Sequence, residues 1–235
     1  MVLVERGLVP SRERARAVIL AGQVTVDGQV VSKAGAPVPP EARVELATPD
    51  HPYVGRGGVK LAHALDEFSI DPAGRRALDV GASTGGFTDV LLQRGAASVI
   101  ALDVGRGQLD WRLRTDARVI VREGVNARVL TAEDVPHKVT LVTIDVAFIS
   151  LRHILPALPP FLEGAAELVA LVKPQFEAGR HEVGKHGLVT DPLVHEAVLA
   201  RVTEAAVATG FTRVAMTPSP ITGATGNQEF FLHLR

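Results

Sequence analysis

The chain has 235 residues, of which 46% are hydrophobic and 22% charged, so it is long enough to bury a substantial core as one or two domains. It contains no cysteine, which excludes disulfides, thiolate zinc sites and a cysteine nucleophile. Its formal net charge of −1 at pH 7 excludes a uniformly basic nucleic-acid-binding protein, so any such contact requires a local basic patch.

A small basic module is predicted at the N-terminus. Pro10-Ser11 can cap a helix that ends at Gly22, and an Asp-Gly pair between alternating apolar residues at 24–31 indicates a β-hairpin. A short strand is predicted at 43–46. The candidate residues for contact with nucleic acid are Arg6, Arg12, Arg14, Arg16 and Lys33. Charge alone fits a solvated helix face equally well.

A domain boundary is expected after this module. Residues 34–58 contain five prolines and several glycines, a composition typical of a linker. We therefore predict a domain at residues 1–48, a linker at 49–57 and a second domain at 58–235.

Strands and helices alternate in the second region. Strands are predicted at 77–81, 98–103, 118–122, 141–148, 167–173, 213–216 and 229–234, and helices at 85–94, 154–162 and 192–209. This alternation predicts an α/β doubly wound sheet. Ligands of such sheets bind beyond the carboxyl ends of the strands, here at the switch point between the first and the fourth strand.

The glycine-rich turn at residues 81–86 is the most informative segment, because it joins the first strand to a helix. Without a Cβ the backbone can approach a ligand closely, and the helix N-terminus offers free N–H groups. Asp103 follows about 20 residues later, where an acid holds a ribose hydroxyl pair in nucleotide sites. Dinucleotide enzymes, S-adenosylmethionine methyltransferases and plain tight turns all show such a segment. The same letters also fit the Gly-x-Ser-x-Gly elbow of serine hydrolases, in which Asp103 has no role.

Two ionisable residues close the fourth and fifth predicted strands. Asp145 and Lys173 should both reach the rim that holds Gly81. Burying an unpaired charge costs several kcal/mol, so these residues are candidates for chemistry, although a structural ion pair is also open.

Several motifs in order resemble one family. They are VERGL (4–8) with SR (11–12), PYVGRGGVKL (52–61), DVGASTGGFTD (79–89), DVGRGQL (103–109), VKPQFE (172–177), SPI (219–221) and GNQEF (226–230). The chain thereby resembles the TlyA family of RNA 2′-O-ribose methyltransferases, also labelled haemolysins. Members join an S4-type RNA-binding domain to an FtsJ-like, Rossmann-like S-adenosylmethionine methyltransferase domain.

The resemblance implies a catalytic tetrad of Lys60, Asp145, Lys173 and Glu229. A ribose hydroxyl is a poor nucleophile, so the transfer mainly needs proton removal and in-line placement. Lys173 is the expected base and needs a lowered pKa, to which Lys60 contributes a like charge. The two carboxylates orient the lysines and favour their charged forms, so the sequence leaves the net pKa shift open.

The resemblance also implies the ligands and their residues. S-adenosylmethionine is expected on Asp79, Gly81, Ala82, Ser83, Thr84, Gly85, Gly86, Phe87, Asp103, Val104, Asn126 and Asp145. The acceptor implied is a cytidine ribose in ribosomal RNA, with the large subunit favoured because the chain resembles the shorter family members. The five basic residues of the N-terminal module then become the RNA-binding set.

Other expectations concern location and alternatives. No stretch approaches the roughly 18 apolar residues of a membrane helix, and the N-terminus does not read as a signal peptide, so we expect a cytoplasmic protein without a membrane partner. Histidines without His-x-x-x-His spacing indicate no metal site. A non-catalytic RNA-binding ribosome factor and, more remotely, a pore-forming haemolysin are the alternative functions.

Overall fold

A computed structural model describes residues 2–9, 12–46 and 51–235 of the chain. The N-terminal unit contains α1 (Val2–Glu5), α2 (Arg12–Leu20), β1 (Val24–Val26), β2 (Gln29–Val30) and β3 (Val44–Leu46). The strands form an antiparallel sheet in the order β2-β1-β3. The predicted helix cap, Pro10-Ser11, lies outside the described residues.

The predicted hairpin turn has the backbone conformation that its sequence demands. Asp27 and Gly28 both have positive φ, 50° and 79°, as required of the two central residues of a type I′ turn. The Asp27 carboxylate also accepts a hydrogen bond of 2.8 Å from the backbone N–H of Arg43. This contact ties the turn to the segment that leads into β3.

The larger unit is built on one seven-stranded sheet. Its elements are α3 (Gly57–Glu67), β4 (Arg76–Val80), α4 (Gly86–Gln93), β5 (Ser98–Asp103), α5 (Trp111–Arg114), β6 (Val119–Glu123), β7 (Val139–Ile144), β8 (Leu162–Val172), α6 (Pro174–Glu177), α7 (Pro192–Ala208), β9 (Arg213–Pro218) and β10 (Phe230–Leu234).

The strand order is β6-β5-β4-β7-β8-β10-β9. Strands β6 to β8 of that order are mutually parallel, and β10 is antiparallel to both of its neighbours. The predicted doubly wound α/β class is confirmed, with its switch point between β4 and β7.

Helices cover both faces of the sheet, so the central strands alternate between two cores. Leu78 and Val80 face one core, whereas Ala77 faces the other. Helices α3 and α4 lie on the Ala77 side, and α7 lies on the Leu78 side. Burial on both faces explains why these strands read as continuous apolar runs.

The helix predicted at 154–162 is wrong. The structure has three short 3₁₀ turns at Leu151–His153, Leu155–Ala157 and Pro159–Phe161, and β8 begins at Leu162. The prolines at 156, 159 and 160 remove backbone donors and clash with the preceding turn, which prevents an α-helix. The apolar spacing reflected burial of Ile154, Leu155 and Leu158 rather than helical structure.

Helix α3 was missed by the sequence analysis, which treated its start as the end of a linker. Its first two residues are Gly57 and Gly58, and glycine weakens a helical reading. Leu61, Ala64 and Leu65 nevertheless form a fully buried stripe at helical spacing. The helix therefore depends on tertiary packing.

Candidate active site

Three strand ends meet at the switch point. Each of three residues comes immediately after a strand: Gly81 after β4, Asp145 after β7 and Lys173 after β8. Gly81 has a φ of +85°, and a Cβ at this position would overlap the backbone carbonyl of Asp145. Asp145 donates its backbone N–H to Val80 at 2.9 Å. Only glycine lets the two strand ends approach this closely.

The four predicted catalytic residues are brought together as two ion pairs. The Nζ of Lys173 lies 2.5 Å from Oδ1 of Asp145, and the Nζ of Lys60 lies 2.5 Å from Oε2 of Glu229. Lys60 projects from α3, and Glu229 immediately precedes β10. All four side chains are mostly buried. The arrangement concentrates two cations and two carboxylates at the end of the sheet.

The electrostatic environment of Lys173 favours its charged form. Burial lowers the pKa of Lys173, but the attraction and hydrogen bond of Asp145, with a smaller contribution from Glu229, raise it above its ordinary value overall. Lys60 was expected to supply an opposing like charge. Its ammonium group is instead paired with Glu229, so its charge is largely balanced there.

A large cleft of about 1090 Å³ opens beside these pairs. Its walls come from the carboxyl ends of β4, β5, β7 and β8 and from the loops that follow. The predicted site residues among its lining are Gly81, Ser83, Asp103, Val104, Asn126, Asp145 and Lys173. Residues that are far apart in the chain therefore share one solvent-accessible space.

Asp103 is held in place by the backbone. Its Oδ2 accepts from the N–H of Ser83 at 2.8 Å, and its Oδ1 accepts from the N–H of Gly105 at 2.7 Å. Each carboxylate oxygen has a second lone pair, so the group can also accept hydrogen bonds from a ligand's hydroxyls. The neighbouring Val104 is 75% exposed and presents an apolar surface to the cleft.

The rest of the glycine turn lies mainly on the α3 side. A smaller cavity of about 160 Å³ is lined by Lys60 together with Gly81, Ala82, Ser83, Thr84, Gly86 and Phe87. Gly85 has a φ of +98° and starts α4 against Leu109 and Leu113.

Asp79 lies beneath the turn, fully buried in the sheet. Its carboxylate accepts hydrogen bonds from the hydroxyls of Thr88 at 2.7 Å and Thr143 at 2.9 Å. Burial raises the pKa of Asp79 to about 7, against the lowering effect of these hydrogen bonds. This placement supports the turn from below, so a direct contact of Asp79 with a ligand stays a prediction.

The serine-hydrolase reading of the turn finds no support in these contacts. The Ser83 hydroxyl donates to Oε1 of Gln108 at 3.3 Å. Asp103 is engaged by two backbone N–H groups, rather than orienting a histidine as the acid of a catalytic triad does.

The predicted basic residues do not all occupy one surface. Arg12, Arg16 and Lys33 form what we term the basic surface. These three residues line a mostly apolar concavity of about 270 Å³ in the N-terminal unit. Arg16 also lines the large cleft. Arg6 donates to the carbonyl oxygens of Ala42 at 2.6 Å and Pro40 at 2.7 Å, so it fastens a loop. The side chain of Arg14 lies outside the described part of the structure.

Two aromatic residues that line the cleft, Phe148 and Phe176, are absent from the site residues that the sequence predicts. We term them the aromatic rim. Phe148 is 91% exposed, and its ring centroid lies 5.1 Å from that of Phe176. Its φ of +64° is uncommon for a bulky residue and is found mainly at functional sites. Arg128 and Arg152 line the same cleft. The sequence signal was weak, because Phe148 reads as the end of a strand.

Comparison with known proteins identifies the family. An FtsJ-like methyltransferase family model matches residues 53–235, and an S4 domain model matches residues 1–44. The chain is 47% identical over 234 residues to the Mycobacterium tuberculosis protein named 16S/23S rRNA (cytidine-2′-O)-methyltransferase TlyA, covering 99% of this chain and 87% of that protein. The chain belongs to the TlyA family. Its fold and its class as an FtsJ-like methyltransferase are thereby confirmed.

Solved structures agree with this TlyA-family assignment. A Streptococcus thermophilus structure that carries a provisional hemolysin name superposes with a TM-score of 0.78 at 43% identity, covering 99% of this chain and 85% of that one. An S-adenosylmethionine-dependent methyltransferase from Mesorhizobium loti superposes with a TM-score of 0.53 at 16% identity, covering 74% of this chain and 96% of that one. At this identity the likeness shows the fold alone.

The described residues contain neither a membrane-spanning helix nor a cluster of metal ligands. Within residues 2–9, 12–46 and 51–235, no helix is long and apolar enough to cross a bilayer. The same described residues hold no group of three or more histidines and carboxylates arranged to bind a metal ion.

Proposed function

We propose that this TlyA-family chain transfers a methyl group from S-adenosylmethionine to the 2′-hydroxyl of a cytidine ribose in ribosomal RNA. The observation that carries the proposal is the pairing of Lys173 with Asp145 and of Lys60 with Glu229 beside the glycine turn. Family membership supplies the reaction class. The proposal combines that class with a site containing a buried lysine that can remove a proton once its pKa is lowered.

The cofactor is assigned to the glycine turn and the Asp103 side of the cleft. The missing Cβ of Gly81 lets the backbone of Asp145 pack against the turn, and both residues line the cleft. Asp103 has free lone pairs for the ribose hydroxyls, and Val104 offers an apolar surface to the adenine. When bound, the cofactor supplies an electrophilic methyl group on a cationic sulfur.

Lys173 is proposed as the group that accepts the proton of the ribose hydroxyl. Its raised pKa means that the resting protein holds it as an ammonium ion. A cationic ligand placed next to Asp145 competes for that carboxylate and lowers the pKa of Lys173. Lys60 and Glu229 are assigned to positioning, because each balances the charge of the other.

The acceptor RNA is assigned to the open side of the cleft. We propose residues 1–48 as the RNA-binding domain, 49–57 as the linker and 58–235 as the methyltransferase domain. The basic surface leads into the cleft through Arg16, which lines both. Phe148 offers an exposed ring on which an RNA base can stack, a contact worth about 1–3 kcal/mol.

A methyl-transfer assay tests the proposal. The purified chain is incubated with tritiated S-adenosylmethionine and with large subunits, small subunits or naked ribosomal RNA, and products are mapped by blocked alkaline cleavage. We expect one cytidine of the large subunit to carry the label. Lys173→Ala should abolish the label while cofactor binding and the circular dichroism spectrum remain, and the surface variant Glu163→Gln should behave like the native chain.

Each other outcome has a defined meaning. Label on isolated small subunits as well would overturn the large-subunit preference but not the reaction. If the native chain and Lys173→Ala bind RNA equally and neither labels any RNA, a non-catalytic ribosome factor is favoured, for which Lys173 is dispensable. Label that persists in Lys173→Ala would remove that residue from the role of base.

A further inference from the structure

We propose that Glu177 is a positioning residue that locks together the two segments following Asp145 and Lys173. The first segment, residues 146–151, is termed the β7 loop, and the second is helix α6. The inference rests on the proposed function, because its consequence is the alignment of Asp145 with Lys173 during methyl transfer.

Glu177 makes two hydrogen bonds from α6 to the β7 loop. Its Oε2 accepts from the hydroxyl of Ser150 at 2.5 Å, and its Oε1 accepts from the backbone N–H of Leu151 at 2.7 Å. The residue is only 5% exposed, so solvent competes little for these bonds. Hydrogen bonds to a charged group are stronger than neutral ones.

The locked segments lead directly from the proposed catalytic pair. Asp145 immediately precedes the β7 loop, and Lys173 immediately precedes α6. The start of the loop is fixed by the bond from the Asp145 N–H to Val80, and its end is fixed by Glu177. A shift of either segment would therefore move one member of the 2.5 Å Lys173–Asp145 pair against the other.

The β7 loop that Glu177 holds contains a residue with a strained backbone. Phe148 lies within the β7 loop with a φ of +64°, a strained conformation that persists only when surrounding contacts hold it. The Phe148–Phe176 ring contact joins the same two segments. The two bonds to Glu177 anchor the chain two and three residues after this strained residue.

A carboxylate suits this position because both of its oxygens act only as acceptors. Ser150 and Leu151 each bring one donor. The Ser150 oxygen already accepts from the backbone N–H and the Nε–H of Arg152. Glutamine can keep both contacts, because its amide oxygen accepts from Leu151 and its amide nitrogen can replace the Arg152 Nε–H at the Ser150 oxygen. Alanine loses both and leaves a buried backbone N–H unpaired, which is costly. The pair of substitutions therefore separates the hydrogen bonds from the charge.

The test uses the full-length chain with Glu177→Ala, Glu177→Gln and Ser150→Ala. Glu163→Gln is the control, because Glu163 lies at the opposite end of β8 and pairs with Arg76 at the surface. Four quantities are measured: kcat and KM for methyl transfer to ribosomal RNA, cofactor Kd by calorimetry, and amide hydrogen exchange of peptides that cover residues 146–153.

For Glu177→Ala we expect kcat to fall about a hundredfold, the effect of roughly 1 Å of misplacement at a reacting centre. Cofactor Kd should change less than about threefold, because no contact to the cofactor is removed, and RNA KM should rise if Phe148 stacks on the RNA as proposed. Exchange in residues 146–153 should accelerate about tenfold or more, because both hydrogen bonds to Glu177 are lost and the buried N–H of Leu151 is left unpaired. Glu177→Gln should restore most of kcat, and Ser150→Ala should fall between the two.

Unchanged kcat or unchanged exchange in Glu177→Ala would overturn the proposal. So would parallel losses of kcat, cofactor affinity and melting temperature, which would show a general structural role. If Glu177→Ala fails to fold, Ser150→Ala carries the same comparison, because it removes the hydroxyl that donates to Glu177 together with the bonds that this oxygen accepts from Arg152 and leaves the bond from Leu151 in place. If the native chain labels no RNA, the proposed function fails, and the exchange data still show whether Glu177 locks the loop.

Discussion

At the scale of single residues, the site is defined by charges that the protein buries in pairs. Lys173 and Asp145, like Lys60 and Glu229, are separated by 2.5 Å and are mostly shielded from water. A buried ion pair adds little net stability, because the cost of removing both ions from water offsets their attraction. Their concentration beside the cleft therefore favours a chemical role.

The raised pKa of Lys173 predicts a rising pH profile for the transfer reaction. If Lys173 accepts the proton, only its neutral form is active, and that fraction increases with pH up to a pKa above the ordinary lysine value. We expect kcat/KM to rise about tenfold per unit between about pH 7 and about pH 9. Initial rates at cofactor and RNA concentrations well below their KM values, which report on the free enzyme, measure it. A flat profile would show that the free enzyme's Lys173 does not control the reaction.

The buried carboxyl of Asp79 predicts a pH-dependent stability. Its pKa of about 7 lies above the ordinary value of 3.8, so the folded state binds a proton that the unfolded state releases. Its contribution to stability is therefore greatest at low pH and is lost as the pH rises to about 7. Asp79→Asn removes this dependence.

Urea unfolding at about pH 5 and about pH 8 measures the difference. The free energy of unfolding of Asp79→Asn relative to the native chain should increase by up to roughly 3 kcal/mol between them, at about 1.4 kcal/mol per unit. A difference that is the same at both values would contradict the assignment of a raised pKa to Asp79.

At the scale of elements, the site depends on how closely α3 and α4 cross. A Cβ on Gly86 would lie 2.9 Å from the backbone N of Gly58 and 3.2 Å from the Cα of Gly57. Backbone therefore meets backbone where α4 begins and α3 starts. This close crossing places Lys60, one turn into α3, beside the glycine turn.

Gly86→Ala should consequently separate the two helices and move Lys60. Overpacking of this kind costs about 1–3 kcal/mol, and we expect a loss of stability in that range with a larger loss of methyl transfer. Chemical denaturation and single-turnover rates measure the two effects. Gly35→Ala is the matched control, since a Cβ there meets no atom within 4 Å. Native activity in Gly86→Ala would show that the crossing is not needed.

At the scale of the whole molecule, a nearly neutral chain is proposed to bind a polyanion. The net charge of −1 means that attraction to RNA must come from an uneven distribution of charge. The two units meet near the site, where Gln23 donates to the carbonyl of Val54 at 3.5 Å. Arg16 then extends the basic surface into the cleft.

Replacing Arg12, Arg16 and Lys33 by glutamine should weaken RNA binding and reduce its dependence on salt. Each phosphate contact to single-stranded RNA contributes about 0.7 to the slope of log K against log salt concentration. The triple variant should therefore have a slope shallower by about 2. Filter binding of ribosomal RNA at several salt concentrations measures it.

A second triple variant controls for net charge. Arg76, Arg118 and Arg213 are exposed at the amino-terminal edge of the sheet, opposite the cleft. Replacing them by glutamine changes the net charge equally. If this control lowers the slope as much as the first variant does, the basic surface has no special part in binding.

The sequence by itself determined the sheet, the switch point and the chemistry-bearing residue types. These features depend on local signals: long apolar strands, the turn with Gly81 and the acid at Asp103. Local signals can be read from the sequence without knowledge of the fold. Two local readings failed for different reasons. Helix α3 begins on two glycines and depends on tertiary packing, which overrides propensity, whereas within 154–162 the prolines, themselves a local signal, replaced the predicted helix by short turns.

Only the tertiary structure decided how the site residues pair and what they touch. It joined Lys60 to Glu229 across 169 residues of chain and Ser150 to Glu177 across 27. It also placed Asp79 beneath the turn and exposed Phe148 on the rim. Pairing, burial and the resulting pKa shifts depend on distances between remote segments, and those distances exist only once the sheet has brought its strand ends together.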